Sequence, residues 1–395
     1  MRYPVLFFCM LLPSFPAPPH PQFRQHTLAT DLKGGYQVLA ADLNQDGKPD
    51  LIALASGLKD LVWFENPGWQ RHVLATGRSR MINLDAFDAD RDGIPEIVLA
   101  EEFSMDPRKS LGILSVLKHR GDPTQPWSVT EIDRLPASHR LRWADIDGRG
   151  RKVLIDAPLA GATSEPPDYR QKVPLVYYRP PEWKRELISD ALQGVLHGIF
   201  VTDWDQDGRD EVLTASFLGI HLFRYRKDGA WTQTELTKGS PQPWPKCGSS
   251  DVAVGRLGRR RFLCAIEPWH GNQVVVYTQK GKTWQRQVID DTLANGHTIQ
   301  AADLNGDGRD EIIAGGRDQP HNVYIYAAQD AQGARWSRQI LDEGGMGPAA
   351  CTLADLSGDG SPDIACIGAT TLKWYENLRG AGPRPIGANL TRKIP

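Results

Sequence analysis

The chain lacks a surplus of either charge. Its 395 residues carry 46 Lys and Arg against 48 Asp and Glu, a net charge of -2. Nothing in the composition would neutralise a phosphate backbone or an anionic lipid face, and nucleic acid is excluded as a partner on that ground. Cysteine is scarce, five residues in all, and no pair has the CxxC spacing of a thiolate metal centre. Long apolar runs are missing as well. The N-terminal run from Val5 to Leu12 falls short of the roughly 20 residues that a membrane span needs, so no span is expected.

What that run does fit is an export signal. Met1-Arg2 gives a positive start, Val5 to Leu12 a short apolar centre, and Pro13, Ser14 and the Pro-rich stretch to Pro21 an exit. Residues 1–20 are therefore read as a signal peptide and the protein as secreted or periplasmic. Cys9 would suggest a lipid anchor, but Phe7 and Phe8 before it are too bulky for the usual small-residue cleavage box. Four cysteines remain, Cys247, Cys264, Cys351 and Cys366. An oxidising compartment permits disulfides among them, and small buried apolar residues are an equally good account.

The dominant feature is a repeat. One segment recurs as Asp42-Leu-Asn44-Gln-Asp46-Gly-Lys-Pro-Asp50, as Asp88-Ala-Asp90-Arg-Asp92-Gly-Ile-Pro-Glu96, and as Asp203-Trp-Asp205-Gln-Asp207-Gly-Arg-Asp-Glu211. It returns as Asp303-Leu-Asn305-Gly-Asp307-Gly-Arg-Asp-Glu311 and Asp355-Leu-Ser357-Gly-Asp359-Gly-Ser-Pro-Asp363. Two weaker copies fill the gaps, one from Asp145 with Arg149 at the fifth position and one near Gly255 to Gly258 without acids. Seven copies at this spacing point to the blades of a propeller. Oxygen donors at positions 1, 3 and 5, a turn glycine at 6 and a carboxylate at 9 suit a hard cation, and Ca2+ is expected in these loops. Asx-type turns alone would explain the first positions but not the final acid.

Short strands surround each loop. An aromatic third strand follows, such as Leu61-Val-Trp-Phe64 or Val323-Tyr-Ile-Tyr326, and then a fourth stamped Trp-x-Arg, as at Trp183, Trp284 and Trp336. The last third strand, ending at Asn377, has no fourth strand after it, whereas Phe23-Arg-Gln-His-Thr-Leu28 carries that stamp at the other end. The expected fold is an all-β, seven-bladed propeller of four-stranded antiparallel blades over residues 21–378. The N-terminal strand, about 23–30, closes the last blade, and a loose tail follows over 379–395. Over this span the chain resembles the FG-GAP or VCBS repeat family of calcium-loop propellers.

Strand alternation puts the start of each innermost strand and each turn between strands two and three on the rim opposite the acidic loops. His139, His197 and His297 each stand six residues before the first acid of their loop, so they should share one ring at the channel mouth. His270, in the turn from Ile266 to Asn272, lies on the same rim. Three neutral imidazoles with an open position make a catalytic Zn2+ arrangement, and a consensus histidine bonded to backbone is the alternative. Trp269 is a candidate to stack on a sugar ring. Arg317, His321, Glu101 and Glu102, in neighbouring turns on this rim, are candidate substrate contacts.

At Ala265 to Tyr277, Leu196 to Phe200, Gly296 to Thr298 and Leu372 to Asn377 the chain resembles the propeller domain of the aldos-2-ulose dehydratase family, which acts on 1,5-anhydro-D-fructose and glucosone. The resemblance implies zinc held by His197, His270 and His297, proton transfer by His139, and loss of water from a ketosugar by β-elimination. One ligand and the base are interchangeable on this reading. The cupin and lectin-like domains of the fungal enzyme have no counterpart in this sequence, so an isomerising second step is not expected. The competing expectation is a non-catalytic, calcium-stabilised propeller that binds glycan or protein. Oligomeric state is not readable from the sequence.

Overall fold

The computed structural model describes residues 20–381; the expected leader up to residue 19 and the tail beyond residue 381 lie outside them. Within that range the chain forms seven four-stranded antiparallel sheets. Blade one is Gly35–Ala41, Asp50–Ala55, Leu61–Glu65 and Gln70–Ala75, in that order from the axis outward. The innermost strands of the next five blades are Asn83–Phe87, Ser138–Ala144, Leu196–Thr202, Asp251–Leu257 and Gly296–Ala302. Blade seven takes Ala350–Ala354, Asp363–Gly368 and Thr371–Asn377 from the C-terminal end and Phe23–Ala29 from the N-terminal end. Phe23 opposes Asn377 and His26 opposes Trp374 in the closing pair, as the strand stamp predicts. Among the described residues the only helical turns are two short 3-10 segments, and no helix is long and apolar enough to cross a membrane.

Hydrophobic burial between blades holds the ring. The second strands, Asp50–Ala55, Glu211–Ser216, Glu311–Gly316 and Asp363–Gly368, are buried along their whole length. Each sits within a sheet and between neighbouring blades, so both of its faces are covered. The recurring aromatics serve the same packing. His26 and His72 stack on Trp374 and Trp63 at 4.3 and 4.7 Å, and their Nε2 atoms meet Glu376 and Glu65.

The acidic loops close on themselves by the same bonds in every good copy. The first Asp accepts the backbone N–H of position six, as in Gly47 to Asp42 at 2.9 Å and Gly208 to Asp203 at 3.0 Å. The final acid reaches back to the N–H of position two, as in Leu43 to Asp50 and Leu304 to Glu311, both 2.9 Å. The blade-three loop keeps the first of these bonds, Gly150 N to Asp145 at 2.7 Å, and both degenerate loops are also held from outside. Asp210 of blade four accepts from Asp145 N in blade three at 2.7 Å, and Asp310 of blade six accepts from Arg256 N in blade five at 2.8 Å.

Cys351 and Cys366 face each other across the first two strands of blade seven and form a disulfide, with Cα atoms 4.1 Å apart; Cys247 and Cys264 are free thiols. Near the seam, Asn66 Nδ2 donates to Pro49 O in its own blade at 3.0 Å and to Leu356 O in blade seven at 2.9 Å. Asn377 repeats the motif toward Leu304 O of blade six. The Asn66→Ala substitution strands the buried Leu356 carbonyl and removes the part-buried bond to Pro49 O, and a loss of about 2 kcal/mol is expected. An unchanged urea midpoint would show that the asparagine does not latch the blades.

Candidate metal centre

Four inner strands carry a β-bulge at their first residues. The register slips between Gly35 and Gln37, Ser138 and Arg140, Leu196 and Gly198, and Gly296 and Thr298. The residue at each slip is Tyr36, His139, His197 or His297. A bulge re-aims the side chain it carries, and here all four point to the axis. The three histidines are at most 2% exposed.

The rings meet. His197 lies 5.0 Å from His139, 5.0 Å from His297 and 4.9 Å from His270 between centroids, and His270 lies 5.1 Å from His297. His197 Nε2 and His270 Nε2 are 3.2 Å apart. One nitrogen from each of His197, His270 and His297 falls within a 4.8 Å cluster that could hold a metal ion. His297 Nδ1 is 2.5 Å from Ala349 O and His197 Nδ1 is 3.1 Å from Ser250 O. Those carbonyls accept the Nδ1 protons and leave the Nε2 lone pairs facing inward, the usual outer-shell arrangement for ligating histidines.

His270 comes from a different element. It sits in the turn after Arg260–Glu267 with φ of 50°, a left-handed conformation that histidine enters more readily than most residues. Its backbone N–H donates to Ser250 Oγ at 3.2 Å. Glycine is needed after His197, because a Cβ at Gly198 would meet Asp251 Oδ1 at 2.5 Å and Ser250 O at 3.0 Å.

Burial is the first cause of the electrostatics. It holds His139, His197 and His297 well below the ordinary histidine range, with Arg140 and the neighbouring imidazoles adding to the effect for all three and Arg317 for His139 and His297. Burial and then Arg317 bring His270 down to about 3. All four rings are neutral near pH 7, the form that ligates metal or accepts a proton. Arg140 NH2 stands 3.5 Å from His197 Nε2, and Arg317 NH2 stands 3.4 Å from His270 Nδ1. Among the described residues neither guanidinium has a carboxylate at ion-pair distance; the acids that act on them from further away are Asp251 on Arg140 and Asp318 on Arg317.

The other expected contacts divide. Trp269 packs against His270, Tyr169 and Phe217 at 4.8, 5.8 and 5.8 Å, forming with Phe103 and Trp244 an aromatic wall on one side of the mouth. Arg317 joins the cluster. His321 does not; its Nδ1 meets Gln319 at 3.2 Å. Glu101 is buried in an ion pair with Arg78 at 2.7 Å, and Glu102 pairs with Arg80, so both tie loops together. Two residues were not anticipated. Tyr36 OH lies 3.0 Å from His139 Nε2 and 3.3 Å from His297 Nε2, and Arg140 lies over the Tyr36 ring at 5.7 Å. Counting six back from Asp42 would have found the first.

Of the acidic loops, Asp88, Asp90 and Glu96, and Asp203, Asp205 and Glu211, form compact oxygen clusters. Lys118 reaches into the former and Arg224 into the latter. Burial, partly offset by backbone hydrogen bonds, raises Asp50 to about 6 and Glu311 to about 8, with neighbouring loop acids adding to the rise.

Comparison with known proteins bears out the resemblance. Residues 112–280 match the family described as the β-propeller domain of aldos-2-ulose dehydratase, a stretch that contains His139, His197 and His270. Residues 42–99 and 303–366 match the FG-GAP-like repeat. Aldos-2-ulose dehydratase of Phanerodontia chrysosporium is 25% identical over 331 residues, covering 73% of this chain and 36% of that protein. The chain thus spans little more than a third of its relative's length. A lectin of Agrocybe aegerita that recognises non-reducing terminal N-acetylglucosamine superposes with a TM-score of 0.53 at 16% identity, over 88% of this chain and 86% of the lectin. That likeness shows the fold alone.

Behind His139, Asp156 is buried with Oδ1 accepting from Ser138 Oγ at 3.0 Å and Oδ2 without a partner. Burial pushes its carboxyl up to about 8. Between the unfolded value near 4 and about 8, the folded chain holds a proton that the unfolded chain has released, so stability falls as pH rises through that interval. Asp156→Asn removes the dependence. Its stability relative to the parent should rise between about pH 5 and about pH 8, and a pH-independent difference in urea midpoint would contradict this.

Proposed function

We propose that this propeller is a metal-dependent lyase that dehydrates a ketosugar, such as 1,5-anhydro-D-fructose, by β-elimination. The observation that carries the reading is the convergence of His197, His270 and His297, with the neutral His139 ring 5.0 Å from His197. The distant relation to aldos-2-ulose dehydratase supports the reaction class.

Three inward imidazole nitrogens fit zinc, which favours such donors with a further position left for substrate. Held there, the ion would supply a Lewis acid for the substrate ketone. His139 takes the proton from the carbon next to that ketone. The electron pair of the broken C–H bond forms the new C=C bond, the C–O bond on the following carbon breaks, and the departing hydroxyl leaves as water with the proton returned by His139. Arg140 and Arg317 stabilise the negative charge that develops on the ketone oxygen. Trp269 and the aromatic wall offer an apolar face to the sugar ring.

In the same proposal the five acidic loops bind calcium, which would offset the crowded, buried carboxylates at their final positions. The protein is exported, a reading supported by the sequence of residues 1–20 and by the Cys351–Cys366 disulfide.

Metal content is a direct check. After mild removal of calcium, about one equivalent of zinc should remain with the parent and none with His270→Ala; equal zinc in both would remove the triad from consideration. Activity is read as ultraviolet enone absorbance on incubation with 1,5-anhydrofructose or a 3-ketoglycoside. His139→Ala should keep the metal and lose at least about 100-fold in rate. Full metal loading with no enone from any ketosugar would favour the binding propeller instead.

A further inference from the structure

We infer that Tyr36 is the fourth donor of this metal centre and is displaced when substrate enters, an inference that rests on the metal reading above. Three observations lead to it. Tyr36 occupies in blade one the bulge position that His139, His197 and His297 occupy in theirs. The equivalent residues of the remaining blades are Ile82, Ser249 and Ala349, of which Ser249 Oγ is committed to Glu267 at 2.8 Å. Tyr36 is therefore the one further donor this level of the ring directs at the histidines.

Distances agree with that role. Four donors around a zinc ion at tetrahedral geometry stand about 3.3 Å from one another. His197 Nε2 to His270 Nε2 is 3.2 Å and Tyr36 OH to His297 Nε2 is 3.3 Å, each the length of one edge of such a tetrahedron. Binding requires the phenol to give up its proton. His139 Nε2, 3.0 Å from the hydroxyl, accepts it as the O–H bond breaks and the oxygen turns its lone pair to the ion, and the proton passes on to solvent. A ketone oxygen entering this fourth place displaces the phenol, which recovers a proton by the same route. The resting centre is thus capped by its own chain, and His139 serves both the cap and the substrate.

Cupric ion tests this by spectroscopy, because phenolate bound to copper gives a visible charge-transfer band that imidazole and carboxylate do not. The full chain is loaded with one equivalent of Cu2+ while excess calcium keeps the acidic loops filled. The parent should show the band, and resonance Raman excitation within it should show phenolate ring modes, a readout that needs no variant. Tyr36→Phe should retain the copper and lose the band; addition of 1,5-anhydrofructose to the parent should also lose it. Copper held by the histidines of the parent without the band, or a band that survives Tyr36→Phe, overturns the role of Tyr36 and leaves the triad standing. Copper binding unaltered by His197→Ala overturns the metal reading and this inference with it.

Discussion

Closure of the ring is the constraint on which everything else in this molecule depends. Seven sheets share an axis only if the last meets the first, and here that junction is the pairing of Phe23–Ala29 with Thr371–Asn377. Once it is made, inner strands of neighbouring blades are tied at several junctions by side chains that act as hydrogen-bonding rungs. Gln37 exchanges both bonds with Leu84 of blade two, Asn83 accepts from Leu141 of blade three, and Thr298 accepts from Cys351 N of blade seven. These rungs satisfy strand edges that would otherwise face the axis unpaired. They also restrain the rotation of the strands that carry Tyr36, His139 and His297 into the channel. Imidazoles from three blades and a turn meet within a few ångströms because none of those strands can rotate independently.

The opposite rim tells a related story about conserving shape when a cation site is lost. In blades one, two and seven, position eight of the acidic loop is Pro49, Pro95 or Pro362; in blades four and six it is Asp210 or Asp310. Those two aspartates follow the two degenerate loops and accept a backbone N–H from each of them. A neighbour's carboxylate thus adds an outside restraint to each loop; the blade-three loop keeps its own bonds from Arg149 N and Gly150 N to Asp145, whereas the blade-five loop has no acids of its own. In blade five the substitution goes further, since Arg261 lies over Trp204 at 4.0 Å and donates to its carbonyl. Fixed cations of the chain then stand beside the acidic loop of blade four.

Much of this was legible because a repeat converts sequence offset into spatial position. The blade count, the closing strand and the meeting of His139, His197, His270 and His297 all follow from periodicity and strand alternation. Arg140 was hidden by the same alternation, which would put it on the face opposite His139; the bulge lets both residues serve the centre. Tyr36 was open to the counting rule but is not the residue type a search for imidazoles looks for. The Cys351–Cys366 bridge depends on the register of one hairpin, which loop spacing leaves open by a residue or two. Glu101 and Glu102 show the reverse case: loop acids on the correct rim whose partners, Arg78 and Arg80, come from a second loop that only the fold brings near.

One consequence of the closing strand concerns the order of assembly. Arg24 and Glu376, which bond across the seam, are 352 positions apart, so the earliest strand to leave the ribosome finds its partner only when the chain is almost finished. Six blades can collapse as local hairpins, but the seventh stays an exposed edge until then, and long-range pairing of this kind is slow. A polypeptide that cannot complete its toroid until synthesis is nearly finished stays longer as an open, incompletely paired intermediate.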